Sequence, residues 1–166
     1  MQPSDSIKSV RVYIYGNAIR IAGQIQVPKV MDDAKFSIHY ALATALARGR
    51  FGLSDLDISS IDDVLPIISK ITLVEDANME NRKEGIRGAR VVVELEDGST
   101  LEETVLIPLG DAAKPLSHEA LRTKLRECSE TILSEREQEI LVKNIWNLEK
   151  IAHINTINIY DKLEVE

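Results

Sequence analysis

From Ile7 to Tyr15 apolar and polar residues alternate. Val10, Val12 and Ile14 fall to one side and Arg11, Tyr13 and Tyr15 to the other, which predicts a strand covered on one face. Gly16 to Val30 is apolar but punctuated by Gly16, Gly23 and Pro28, so it is expected to be an irregular connection with one short helical turn. The period then changes. Ala34 to Arg48 is rich in alanine and leucine, starts behind Asp32 and Asp33 and stops at Gly49, which is the start and stop chemistry of a helix. Phe36, Ile38, Leu42, Ala43, Ala45 and Leu46 cover most of its circumference, predicting one long buried helix. A second, short helix is expected over Asp62 to Ser69, with Pro66 in the first turn, where its missing N–H costs nothing.

Lys70 to Glu75 is a short strand by the same alternation, and Ala89 to Leu95 with Thr100 to Ile107 form a hairpin across Glu96-Asp97-Gly98. A two-residue turn would set Val91, Val93 and Leu95 against Thr104, Glu102 and Thr100. A three-residue loop with Gly98 left-handed puts them on the face of Leu101 and Val105 instead, and is the register expected. After a turn-rich loop from Pro108 to Pro115, Ser117 caps a helix to about Ser129, with Leu121, Leu125 and a core thiol at Cys128 on one face. Ser134 and Glu137 form a capping box for a last helix, striped by Leu141, Val142, Ile145, Leu148 and Ala152, with Trp146 at the margin. The tail from His153 to Glu166 extends or follows it. The sum is an α+β fold: a mainly antiparallel sheet of about four strands packed with helices, in a single domain over residues 1–166.

Composition narrows the partners. There are 27 acidic against 20 basic residues, a net charge of −7, which repels nucleic-acid backbones and anionic membranes. The basic cluster Arg82, Lys83, Arg87 and Arg90 is interrupted by Glu84 and two glycines and lacks aromatic residues for stacking, so it is expected to be a solvated loop. The single cysteine excludes an internal disulfide, and no Cys/His spacing suits zinc. No segment has the length and apolarity of a membrane span, and residues 1–6 do not resemble a signal peptide. A cytoplasmic protein is expected.

No phosphate-cradling glycine loop, nucleophile elbow or His-Glu-x-x-His motif occurs. His39, His118 and His153 are scattered, and ordinary surface or core positions account for His118 and His153. The long helix carries a narrow stripe of hydroxyls, Ser37, Tyr40 and Thr44, beside Ala41. Buried hydroxyls need partners. Those partners are either backbone groups of the same domain or a polar ligand held against the helix.

The string Asp33-Ala-Lys-Phe-Ser-Ile-His-Tyr-Ala-Leu-Ala-Thr-Ala-Leu-Ala-Arg-Gly49 resembles the Ala-Lys/Arg-Phe-Ser-x-x-Tyr-x-x-Ala-x-Ala-Leu segment that opens the C-terminal domain of the MmgE/PrpD family. The likeness continues through Arg90 to Gly98 and the Pro108-Leu109-Gly110 loop. It ends in Lys114-Pro115-Leu116-Ser117-His118-Glu119-Ala120-Leu121-x-x-Lys124-Leu125, similar to the family's Pro-Leu-Ser-x-Glu-x-Leu-x-x-Lys signature. About residues 7–152 are covered in the family's order.

The resemblance implies a relative of 2-methylcitrate dehydratase and cis-aconitate decarboxylase: two-domain, usually homodimeric lyases acting on small polycarboxylates without metal or organic cofactor. In such enzymes a helical N-terminal domain supplies most acid/base and carboxylate-binding groups, and the small domain closes the cleft as a lid. It implies Tyr40 as the catalytic residue contributed by the lid, with Ser37 and Lys35 in substrate binding. Some relatives carry histidine where Phe36 stands. Nothing before Ile7 could hold the helical domain, so that domain or subunit is the expected partner, together with a polycarboxylate and a homo-oligomeric copy. The chain alone is expected to be inactive: an expressed fragment, a subunit of a split enzyme, or, in the rival reading, a non-catalytic interaction module.

Overall fold

The computed structural model describes residues 6–81 and 83–157. The chain forms two compact units, Met1–Pro115 and Leu116–Glu166.

In the first unit the strands β1 (Ile7–Ile14), β2 (Ile71–Glu75), β5 (Ala89–Leu95) and β6 (Thr100–Val105) form one sheet in the order β2-β1-β5-β6. A small hairpin, β3 (Glu80–Asn81) with β4 (Ile86–Arg87), stands apart from it. The sheet is mixed rather than uniformly antiparallel, because β1 and β2 run parallel, Val10 opposite Ile71 and Val12 opposite Leu73. Parallel neighbours need a crossover between them, and here the crossover carries the helices of the unit: α1 (Gly16–Ala22), α2 (Met31–Lys35), α3 (Ile38–Arg48) and α4 (Leu65–Ile68).

The alternation in β1 is realised as expected, with Val10 and Val12 buried and Arg11 exposed. Together with Ile71 and Val93 they meet Tyr40, Ala43, Val64, Ile67 and Ile68 in a single core. The hairpin adopts the three-residue loop: Val93 lies opposite Leu101 and Ala89 opposite Val105, the Gly98 N–H donates to the Leu95 carbonyl at 3.0 Å, and Gly98 has φ of 84°. Of the basic cluster expected to be a solvated loop, Arg87 lies on β4 and Arg90 on the predicted strand β5, the Arg90 guanidinium 3.9 Å over the Tyr13 ring and 3.5 Å from Glu102. Arg82 lies outside the described residues.

Three helices of this unit differ in their bounds from those expected, and the first is the short one predicted over Asp62 to Ser69, which is confined to Leu65–Ile68. Gly16 to Val30 contains a helix of 7 residues rather than a single turn. The long helix is interrupted: α2 ends at Lys35, and α3 begins after Ser37, whose φ of −118° and ψ of 104° are extended. Serine competes with the helical backbone for hydrogen bonds, and here its Oγ accepts from the Tyr40 N–H at 3.0 Å, capping a new helix instead of continuing the old one. Gly49, with φ of 74°, closes α3 as the sequence predicts.

The second unit is built on α5 (His118–Ser129) and α6 (Glu135–Trp146). Ser117 Oγ accepts from the Ala120 N–H at 3.1 Å, and the Ser134 N–H donates to Glu137 Oε2 at 2.8 Å, so both expected caps are present. Cys128, expected in the core, is exposed. The inward side of α5 lies one residue further on, at Leu125 and Ser129, where Ser129 Oγ donates to the Leu125 carbonyl at 2.7 Å. On α6 the stripe is buried at Leu141 and Val142, but Ile145 is exposed and the helix stops at Trp146, whose indole meets the His118 ring edge-on at 5.2 Å. The tail beyond residue 157 lies outside the described residues.

Candidate functional site

The three candidate residues flank the break between α2 and α3, and the break gives each a different setting. Lys35 is the last residue of α2 and stays at the surface, paired with Asp32 at 2.8 Å across one helical turn. Ser37 is buried as the cap of α3, with a second, long contact of 3.5 Å from its hydroxyl to the Gln26 carbonyl. Tyr40, one turn into α3, is 0% exposed. Its hydroxyl donates to the main-chain carbonyl of Asp55 at 2.7 Å, and the ring of Phe51 stands edge-on 6.0 Å from its own. Of the two kinds of partner open to the hydroxyl stripe, Ser37 and Tyr40 thus use backbone groups of the same unit. The placement of Tyr40 favours a packing role over a group presented to a ligand.

Asp55, absent from the sequence-derived candidates, organises this corner. Its carboxylate accepts from Arg48 at 2.9 Å and from the Gly52 N–H at 2.9 Å, with Arg50 at 3.9 Å. Burial opposes its charge, but the Gly52 N–H, the Arg48 hydrogen bond and the two guanidinium charges prevail and hold the carboxyl below the usual aspartate value. The signal is present in the sequence: an aspartate three residues after Gly52, and just downstream of Arg48 and Arg50, has both a local N–H and two cations within reach.

Two polar atoms in α3 have no hydrogen-bond partner among the described residues, His39 Nδ1 and Thr44 Oγ1. Burial lowers the His39 pKa, so its imidazole is kept neutral. No group of His, Cys, Asp and Glu suited to hold a metal occurs among the described residues, and none of the described helices is long and apolar enough to cross a membrane. Chemically, this corner offers one exposed ammonium, a buried neutral imidazole and a tyrosine already committed to a backbone carbonyl.

The family model described as the MmgE/PrpD C-terminal domain matches residues 2–148. Among curated proteins, a cis-aconitate decarboxylase-like protein of Aspergillus oryzae is 26% identical over 133 residues, which are 78% of this chain and 27% of that protein. The chain therefore spans about a quarter of the length of this relative.

Proposed function

Because the chain belongs to the MmgE/PrpD family, through its C-terminal domain, we propose that it is the lid domain or small subunit of a cofactor-independent lyase acting on a small polycarboxylate, and that it is inactive alone. The family match over residues 2–148 carries this proposal. The relative's description as cis-aconitate decarboxylase-like supports a tricarboxylate such as cis-aconitate or 2-methylcitrate as substrate. Dependence on a helical N-terminal partner is supported by the poverty of the site: general acid/base catalysis needs groups of suitable pKa at the reacting atoms, and Tyr40 and His39 are both buried here.

Within this proposal Lys35 is the candidate best placed to meet a carboxylate, since its ammonium is exposed and its partner is an exposed aspartate one turn away. Ser37 sets the start of α3, and Tyr40 would reach substrate only by leaving the Asp55 carbonyl. The rival, a non-catalytic interaction module derived from the same domain, draws on that same commitment of Tyr40. The test is turnover of cis-aconitate and 2-methylcitrate by the chain alone and by the chain combined with the N-terminal part of a family enzyme. Activity only in the combination, reduced by Lys35→Ala, is the expected outcome. Turnover by the chain alone would overturn the proposal, and a combination that remains inactive although the two parts bind would favour the rival.

A further inference from the structure

Helices α5 and α6, joined by residues 130–134, pack against each other and leave between them a cavity of about 170 Å³. Arg122 and Arg126, one turn apart on α5, line it together with Glu135 and Glu139, one turn apart on α6. Opposite charges so placed are expected to close on one another. Among the described residues, however, neither arginine and neither glutamate makes an ion pair or a side-chain hydrogen bond. The helix dipoles account for half of the arrangement: Arg126 is in the last turn of α5 and Glu135 in the first turn of α6, where each charge is favoured. Arg122 and Glu139 lie one turn further in, beyond the reach of that effect. The rest of the lining is mixed. Leu125 and Val142 make part of it apolar, while Gln138, 8% exposed, donates through Nε2 to the Leu133 carbonyl at 3.2 Å and has no partner for Oε1 among the described residues. An acceptor left open on an otherwise buried side chain calls for a donor.

We propose that the cavity between α5 and α6 binds a small zwitterion, an α-amino acid with a short apolar side chain. A ligand that is only anionic meets the repulsion of Glu135 and Glu139, and one that is only cationic meets that of Arg122 and Arg126. A molecule bearing both charges satisfies both pairs. Its carboxylate lies against the two guanidiniums, whose planar donors match it. Its ammonium donates to the two glutamates and to Gln138 Oε1, and its side chain rests on Leu125 and Val142. The volume is well above the roughly 15 Å³ that admits one water and below the roughly 300 Å³ at which pockets for drug-sized molecules begin, so the ligand is small. All of these residues fall within residues 122–142, so the site is independent of the lid reading and of Lys35, Ser37 and Tyr40.

The experiment titrates the isotope-labelled full chain with L-valine and follows the side-chain amide of Gln138 and the Nε–H groups of Arg122 and Arg126 by proton–nitrogen NMR. Saturating shifts at all three are expected. N-acetyl-L-valine, which lacks the ammonium, and L-valinamide, which lacks the carboxylate, should each bind about tenfold more weakly or worse, the loss of one charge-assisted contact. In the double variant Arg122→Gln, Arg126→Gln, valine should lose its advantage over valinamide. In Glu135→Gln, Glu139→Gln it should lose its advantage over N-acetylvaline. All four side chains are exposed, so circular dichroism of both variants should match the parent. Shifts that do not saturate, equal binding of valine and either blocked form by the parent, or an advantage that survives in the variants would each overturn the proposal. If a variant does not fold, the three compounds on the parent chain decide.

Discussion

The phenolic hydroxyl of Tyr40 donates to the main-chain carbonyl of Asp55 at 2.7 Å, tying the first turn of α3 to the turn that follows it. The same Asp55 holds Arg48, at the last turn of α3, through its carboxylate. One residue thus restrains both ends of the helix, one by its backbone and one by its side chain.

Tyr40→Phe keeps the ring and deletes the hydroxyl, leaving the Asp55 carbonyl short of a donor. Loss of a satisfied buried bond costs about 1 kcal/mol. Urea unfolding of the chain is expected to show that loss as a lower midpoint at unchanged slope. A change of only a few tenths, about the error of the measurement, would mean that the hydroxyl is not committed to this bond in solution and would revive a ligand-facing role.

Asp55→Asn is expected to cost more, about 1–3 kcal/mol, because Arg48 loses its buried counter-charge while keeping partial access to water. The folded pKa of Asp55 is depressed, so its contribution is complete above the unfolded aspartate value and is lost as pH falls through the folded one. Acid unfolding followed by circular dichroism should therefore be less steep in the variant, and identical acid limbs would count against the assigned charge.

His39 predicts a second pH dependence at higher pH. The folded state keeps its imidazole neutral while the unfolded chain takes up a proton near pH about 6.5, so stability should fall as pH drops through that value and level off once the folded form also protonates. Comparing denaturation midpoints at about pH 8 and about pH 5.5 in the parent and in His39→Leu checks this. The variant should lose less stability between the two, and equal losses would place the responsible group elsewhere.

Thr44 is fully buried, and its Oγ1 has no partner among the described residues. Replacing the hydroxyl by a methyl removes an uncompensated desolvation, so Thr44→Val should be neutral or stabilising by up to about 1–2 kcal/mol. A thermal scan showing marked destabilisation would reveal a partner beyond those described.

The elements legible in the sequence are those decided by local chemistry. Gly98 specifies its hairpin register, Ser117 and Ser134 specify their helix starts, and the alternation around Val10 and Val12 specifies β1. What escapes depends on choices between equally local options. The apolar pattern runs straight through Ser37 and so puts it on a helix face, whereas its side chain competes for the Tyr40 N–H and starts a new helix. On α5 the apolar pattern of Leu121, Leu125 and Cys128 turns Cys128 inward, whereas the buried position is the polar Ser129, its hydroxyl satisfied by the Leu125 carbonyl. The carboxylate of Asp55 is announced by Gly52, Arg48 and Arg50 around it, but the bond of its carbonyl to Tyr40 spans 15 positions and no periodicity announces it.

The parallel pairing of β1 with β2 also bears on how the chain folds. β1 occupies the centre of the order β2-β1-β5-β6, yet both strands that flank it come much later in the sequence, at Ile71–Glu75 and Ala89–Leu95. During synthesis its backbone donors and acceptors, and the apolar side of Val10 and Val12, must wait for segments more than sixty residues downstream, as Val10 pairs with Ile71. Closing loops of that size precedes any reward from the contacts they bring. The local hairpin of β5 and β6 is therefore expected to form first, and β1 to join it together with β2, whose only partner in the sheet is β1.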